Sequence, residues 1–435
     1  MPWAIIFSIA MSESKPFFPP QFWKNFGPGL MWAAAAIGVS HLHQSTRAGA
    51  LAGFALTGIV ALAIILKYPF FEYGPRYAAA TGQSLIEGYR RIGEWALWLY
   101  FILTLFTSVI VQVAVILFTG FLLQSALGLN IPQWISWGGV YLACAALLWI
   151  DNFRVFDLVV KAILVLLAVS TVLAAAVTLP KADFSTLMLW PGVGDNAVVS
   201  MAFILALVGW MPSAIDISVW SSLWTLAKDR ETGVRTSVEV ALLDFRIGYL
   251  GTGFLAFAFL LLGATVMFGA GQEFSPQGPV FSTQLIELYT TTLGTWTRPV
   301  VLVAVLTTMI STSITVVDGF PRALDRCVQV LRMPAGQFPN PNAPVGRVYW
   351  IAVVGLGVMG TLVLGLFIGN LATMVDFATI FTFITAPILG YLNLRAVTSE
   401  EVPPEHRPGP KMLALSYVGL ILLGGTAVAY VVAWF

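Results

Sequence analysis

Apolar residues gather along this chain in blocks separated by short polar segments. Runs such as "LTGIVALAIIL", "VVLVAVLTTMI" and "LALSYVGLILLGGTAVAYVVAWF" extend with their flanks to the roughly 20 residues that cross a bilayer as a helix. Eleven spans are predicted, at 27–47, 50–75, 94–127, 132–150, 156–179, 197–226, 243–270, 296–318, 347–369, 371–396 and 412–434. The pattern predicts an all-α polytopic membrane protein whose first partner is the lipid bilayer.

Two of the spans are interrupted. Span 1 reads "GPGLMWAAAAIGVSHLHQSTRAGA", with Gly38 at mid-depth and a polar stretch after it. Span 6 reads "AFILALVGWMPSAIDISVWSS", with Gly209 and Pro212 around Met211. Glycine weakens the helical ladder, proline removes a donor, and unwound backbone at membrane depth is tolerated only where protein or a wet cavity satisfies it. The breaks occupy corresponding places in two halves of five spans each. An odd number gives the halves opposite orientation, which predicts inverted repeats with a midplane site between discontinuous helices. The expected division is a cytoplasmic N-terminal segment at 1–26, a first five-helix repeat at 27–180, a second at 181–396, and a cytoplasmic loop with an eleventh helix at 397–435.

Charged residues make up 10% of the chain, against about a quarter in a soluble domain. Most of the Lys and Arg fall in the N-terminal segment and around the loops after even-numbered spans, leaving Arg47, Lys181 and Arg298 for the outer half. That asymmetry predicts a cell-membrane protein with its N-terminus inside and its C-terminus outside. The opening "MPWAIIFSIA" has no basic n-region and only a short apolar run, so it is not read as a signal peptide, and Met11 is the simpler start. Cys144 and Cys327 give neither a disulfide framework nor a zinc spacing. No phosphate-binding loop, nucleophile-base pair or H-E-x-x-H motif is found, and the basic residues are dispersed. The expectation is therefore no enzyme, no cofactor, no resident metal and no nucleic-acid partner.

The span 1 stretch, with "GPG", nine residues, a polar break and "AGALAG", and the "WMPSA" of span 6 resemble the NRAMP family of proton-coupled divalent-metal transporters, which have the LeuT fold. The resemblance implies a LeuT-type fold of two inverted repeats plus an eleventh helix, with helices 1 and 6 discontinuous. It also implies a binding site at the two breaks. The family's metal-binding Asp-Pro-Gly-Asn falls here on Gly38, Val39, Ser40 and His41. The family's span 6 Met is kept as Met211, followed by Pro212, and its His is replaced by Ser213. The acids that carry protons in the family's span 3 have no counterpart between Trp95 and Leu129, where Gln112 is the nearest polar substitute.

Loss of the Asp and gain of basic groups argue against a desolvated metal ion, which needs anionic or strongly dipolar ligands. The N-termini of the second half-helices offer free N–H groups and a positive dipole end. Ser40, His43 or Gln44, and Arg47 share a face at helical spacing, with His41 and Ser45 beside them. The leading expectation is a secondary transporter of a small inorganic anion, exemplified by bicarbonate, without family-type proton coupling. Its expected contacts are Gly38, Val39, Ser40, His41, Gln44, Arg47, Met211, Pro212 and Ser213, with His43 and Asp216 as candidates for proton or ion coupling. The alternatives are a carrier of Mn²⁺ or Mg²⁺ through an altered site, and a non-transporting receptor. Of the remaining intramembrane acids, Asp318 is expected to pair with Arg322, and Asp376 to be wetted from outside.

Overall fold

The structure, a computed structural model, describes residues 19, 22–149, 153–188, 190, 199–268, 273–334, 336–341, 343, 345–367 and 370–434. The opening decapeptide and the choice between Met1 and Met11 lie outside the described residues.

Fifteen helices carry the architecture: α1 (Pro28–Ala36), α2 (Thr46–Ala52), α3 (Thr57–Thr81), α4 (Leu85–Ile92), α5 (Glu94–Leu127), α6 (Gln133–Trp149), α7 (Phe153–Thr178), α8 (Met201–Gly209), α9 (Ile217–Thr232), α10 (Val238–Leu262), α11 (Gly278–Leu293), α12 (Arg298–Leu331), α13 (Arg347–Phe367), α14 (Leu371–Val397) and α15 (Pro410–Trp434). No strand occurs among the described residues. Among the described residues, seven stretches are long and apolar enough to cross a membrane whole, corresponding to spans 3, 5, 7, 8, 9, 10 and 11. Spans 1 and 6 are each divided, as α1 with α2 and α8 with α9. Span 2 is α3, whose run is diluted by Lys67, Glu72 and Arg76, and span 4 is the 17-residue α6. The two linking helices α4 and α11 are too short to span and were not among the predicted elements. Helix α12 continues past the predicted end at 318 to Leu331, because Asp318 and Arg322 pair one turn apart and carry it on.

Broken span 1 lies at the centre of the bundle. Trp32 of α1 is fully buried, with its ring 5.1 Å from Phe71 of α3, 5.5 Å from Phe245 and 5.1 Å from Tyr249 of α10. Large apolar side chains such as Leu250, Ile351, Leu362 and Ile421 face outward on the peripheral helices, as a hydrocarbon solvent requires.

The start of α1 is held from another helix. The Asp244 carboxylate accepts from the buried N–H of Gly29 at 2.7 Å and of Gly27 at 3.3 Å, neutralising donors that a helix leaves free at its N-terminus. Replacing Asp244 with Ala strands both donors in the interior. A loss of about 2 kcal/mol is expected, read as a lowered melting temperature of the detergent-purified protein, and an unchanged melting temperature would remove this anchoring role.

Candidate functional site

In span 1 the regular α-helix stops at Ala36 and the chain resumes as a π-helical turn, Ser40–Ser45, that leads into α2. The carbonyls of Ala34 and Ile37 lose their helical partners at this break. The Thr312 hydroxyl of α12 lies 3.0 and 3.3 Å from them, and 3.0 Å from its own helix's Thr308 carbonyl, so one proton serves three acceptors. A side chain at Gly38 would put its Cβ 2.7 Å from the Thr312 side chain. The residue at the family's Asp position therefore has to be glycine in this packing.

In span 6, α8 ends at Gly209 and α9 starts at Ile217. The carbonyls at this break share a different partner. Lys67 of α3, fully buried, donates from Nζ to the carbonyls of Val208 and Gly209, each at 2.8 Å, Ser213 at 2.9 Å and Met211 at 3.2 Å.

Between the breaks lies a small cavity, part of it open to solvent, with room for about one or two waters. Ser40, Ser213, Asp216 and Thr312 supply its polar surface, and Trp210, Trp220 and Phe320 its aromatic walls. Among the described residues, Asp216 is the only charged side chain in the lining. Its Oδ1 accepts a long bond from Thr107 at 3.4 Å, while Oδ2 is buried without a hydrogen-bond partner. A carboxylate oxygen in that state is expensive unless a ligand, an ion or water meets it.

The predicted site residues do not stay together. Val39, Ser40, Ser213 and Asp216 line the cavity. His41 does not; its Nε2 lies 3.0 Å from the Thr252 carbonyl of α10 and its Nδ1 2.7 Å from the Ser40 hydroxyl. Met211 packs in an apolar cluster with Leu207 and Phe203, away from the cavity, while Pro212 is buried at the break. Arg47 and Gln44 join Asp376, which was not among the predicted site residues, in a separate cluster. Arg47 Nη1 donates to both Asp376 oxygens, at 2.9 and 3.0 Å, and Gln44 Nε2 donates to Asp376 Oδ1 at 3.1 Å. The guanidinium also lies 4.8 Å over the Phe203 ring. This cluster ties the second half of span 1 to α14. His43 turns to another side, its ring 4.5 Å from that of Phe281.

The expected stripe of free donors is thus divided, and its one permanent cation, Arg47, is neutralised by Asp376. The two side chains are 21% and 27% exposed, so their coupling is expected at about 1 kcal/mol. A double-mutant cycle of Arg47→Ala and Asp376→Ala in thermal unfolding measures it, and additive effects would show that the pair contributes nothing. Asp318 pairs with Arg322 as expected and also accepts from Trp224 and Tyr349. Gln112 is buried and absent from the cavity lining.

Lys67 and Thr312 escaped the sequence reading. A lone lysine in "LAIILKYPF" is itself a signal, because an intramembrane charge needs a partner. Thr312 carried none, since a helical threonine ordinarily bonds its own preceding turn. Glu72, Asp244 and Arg246 are further charges within α3 and α10 that the loop-based division of charge passed over.

Among known proteins, the family model described as natural resistance-associated macrophage protein-like matches residues 29–433. An uncharacterized protein of Pasteurella multocida (strain Pm70) is 33% identical over 405 residues, covering 91% of this chain and 89% of that protein. The solved structure of an Eremococcus coleocola manganese transporter mutant superposes with a TM-score of 0.71 at 15% identity, over 96% of this chain and 89% of that one. MhsT in complex with L-phenylalanine gives 0.60 at 13% identity, over 94% and 98%. At such identities the structures speak for the fold alone, an all-α LeuT-type arrangement with discontinuous helices 1 and 6. The family match covers nearly the whole chain, and the protein, an integral multi-pass membrane transporter, belongs to the Nramp family.

Proposed function

We propose that this protein is an alternating-access secondary transporter of a hydrated divalent cation, Mn²⁺ or Mg²⁺, taken up in the midplane cavity with Asp216 as its charge anchor. The observation that carries this reading is the buried, unpartnered Oδ2 of Asp216 in a cavity with no basic side chain. Bicarbonate, favoured from the sequence, is not supported: an anion there would face a carboxylate, and Arg47 is engaged by Asp376. Family membership and a manganese transporter of the same fold also favour the metal.

The donor set shapes the expectation. Among the described residues no three His, Cys, Asp or Glu side chains converge as a metal cage. One carboxylate with the hydroxyls of Ser40 and Ser213 suits a hard ion that keeps much of its water shell, as Mg²⁺ ordinarily does. In this reading His41 and Met211 position the breaks rather than ligate, and Asp216 takes the place of the missing span 1 Asp. The repeats at 27–180 and 181–396 would rock about the cavity, with the N-terminus inside and the C-terminus outside the cell membrane. In this reading the Arg47–Asp376 pair, which ties span 1 to α14, would act as an outer gate. The aromatic walls Trp210, Trp220 and Phe320 support a second reading, a small organic ammonium ion held by cation–π attraction.

Tracer uptake into proteoliposomes tests the choice, with labelled Mn²⁺, choline and bicarbonate measured in parallel and Mg²⁺ added as competitor for Mn²⁺. Saturable Mn²⁺ uptake suppressed by Mg²⁺ is expected. Choline uptake without Mn²⁺ uptake would favour the organic cation, bicarbonate uptake alone would restore the anion reading, and no flux of any of them would point to a receptor.

A further inference from the structure

Four backbone carbonyls converge on one atom at the break of span 6. Those of Val208, Gly209, Met211 and Ser213 lie 2.8 to 3.2 Å from Lys67 Nζ. The local sequence explains why they are available. The helical donor for Val208 would be the N–H of residue 212, which is Pro212 and has none, so its carbonyl keeps a turn bond from Met211 N–H at 3.2 Å and has a lone pair left for the lysine. Gly209 closes the nine-residue α8, and Met211 and Ser213 lie in the unwound segment that follows. The end of a half-helix is also the negative end of its dipole, and such ends with unwound carbonyls are where discontinuous helices coordinate cations.

Lys67 satisfies the requirements of a cation at that point and little else. Its side chain is fully buried, and among the described residues no carboxylate pairs with it. An ammonium carries three protons and no acceptor, so four carbonyls exceed its donors and surround it as they would a dehydrated ion. A ring of carbonyls at this spacing replaces a hydration shell. Ammonium and K⁺ are similar in size, and Na⁺ is smaller.

We propose that the Lys67 ammonium is a tethered, built-in cation occupying a carbonyl site at the span 6 break, and that this site accepts a free monovalent cation of K⁺ size once the lysine side chain is removed. The wild-type break is then organised without a coupling ion. Lys67 is a positioning residue: it holds the unwound segment that carries Ser213 to the cavity and does not touch the substrate.

The test is thermal unfolding of the purified full-length chain in KCl, NaCl, methylammonium chloride or choline chloride of equal ionic strength. Lys67→Ala is expected to melt several degrees higher in K⁺ or methylammonium than in choline, with Na⁺ less effective, while the wild type melts alike in all four. A folded Lys67→Ala protein indifferent to the cation would overturn the proposal. If Lys67→Ala yields no folded protein in any salt, Lys67→Gln carries the test. An amide has two donors and no charge, so a melting point below wild type is expected, and equality with wild type would overturn the proposal. None of these readings needs transport, so failure here and failure of the metal reading are separable.

Discussion

Asp216→Asn is expected to abolish Mn²⁺ uptake, lowering it at sub-saturating Mn²⁺ by a factor on the order of 100. The substitution keeps the shape and the bond from Thr107, but it replaces the one charge that lines the cavity with a dipole. A divalent ion that keeps part of its water shell still needs anionic charge nearby, because the surrounding walls of Val, Ala, Trp and Phe supply none. The effect should fall on apparent affinity more than on folding, since one carboxylate oxygen is buried without a protein partner. The melting temperature of Asp216→Asn is therefore expected to equal or exceed that of the wild type. Uptake within twofold of wild type, in a protein that folds as well, would remove Asp216 from the site.

A large effect on folding is expected at Gly209. A Cβ there would lie 2.1 Å from the Thr379 carbonyl oxygen and 2.8 Å from its carbon. Both are backbone atoms of α14 and cannot swing aside as a flexible side chain could. Gly209→Ala must therefore push α8 off α14 or distort the break, with an expected cost of 3 kcal/mol or more, on the order of severe overpacking. The shift would also displace the carbonyl that holds Lys67. Loss of monodisperse protein on size exclusion, or a sharply lowered melting temperature, is the readout. Gly251→Ala provides the control, because nothing lies within 4 Å of its Cβ position inside α10, and alanine there should be neutral or stabilising by up to about 1 kcal/mol. Equal behaviour of the two variants would contradict the close approach at Gly209.

Much of this fold is legible in the sequence because a bilayer leaves few options. Backbone groups must be satisfied within helices, so apolar blocks map onto spans, and the Gly38 and Gly209–Pro212 interruptions map onto real breaks. What the sequence hid was orientation within those breaks. The helical-face argument for Ser40, His43, Gln44 and Arg47 assumes α-helical rotation per residue, whereas Ser40–Ser45 is a π-helical turn, which bonds i to i+5 and shifts the phase. His43 is thereby separated from Gln44 and Arg47. His41 falls on the family's ligand position yet turns to α10, where the Thr252 carbonyl is available. The partners of the polar residues are also remote, with Asp376 lying 329 positions from Arg47 and the Lys67 carbonyls more than 140 away. Periodicity cannot reach across such distances. A lone lysine announces that it must have a partner but does not say where.

The central claim is that a divalent cation, and not an anion, binds in the cavity at Asp216. Titration of Mn²⁺ into the purified full-length protein, followed by loss of the free-ion electron paramagnetic resonance signal, tests it most directly. Saturable binding that Mg²⁺ displaces, that Asp216→Asn abolishes and that Arg47→Ala leaves in place is the expected result. No binding to the wild type, or binding undiminished in Asp216→Asn, would contradict it.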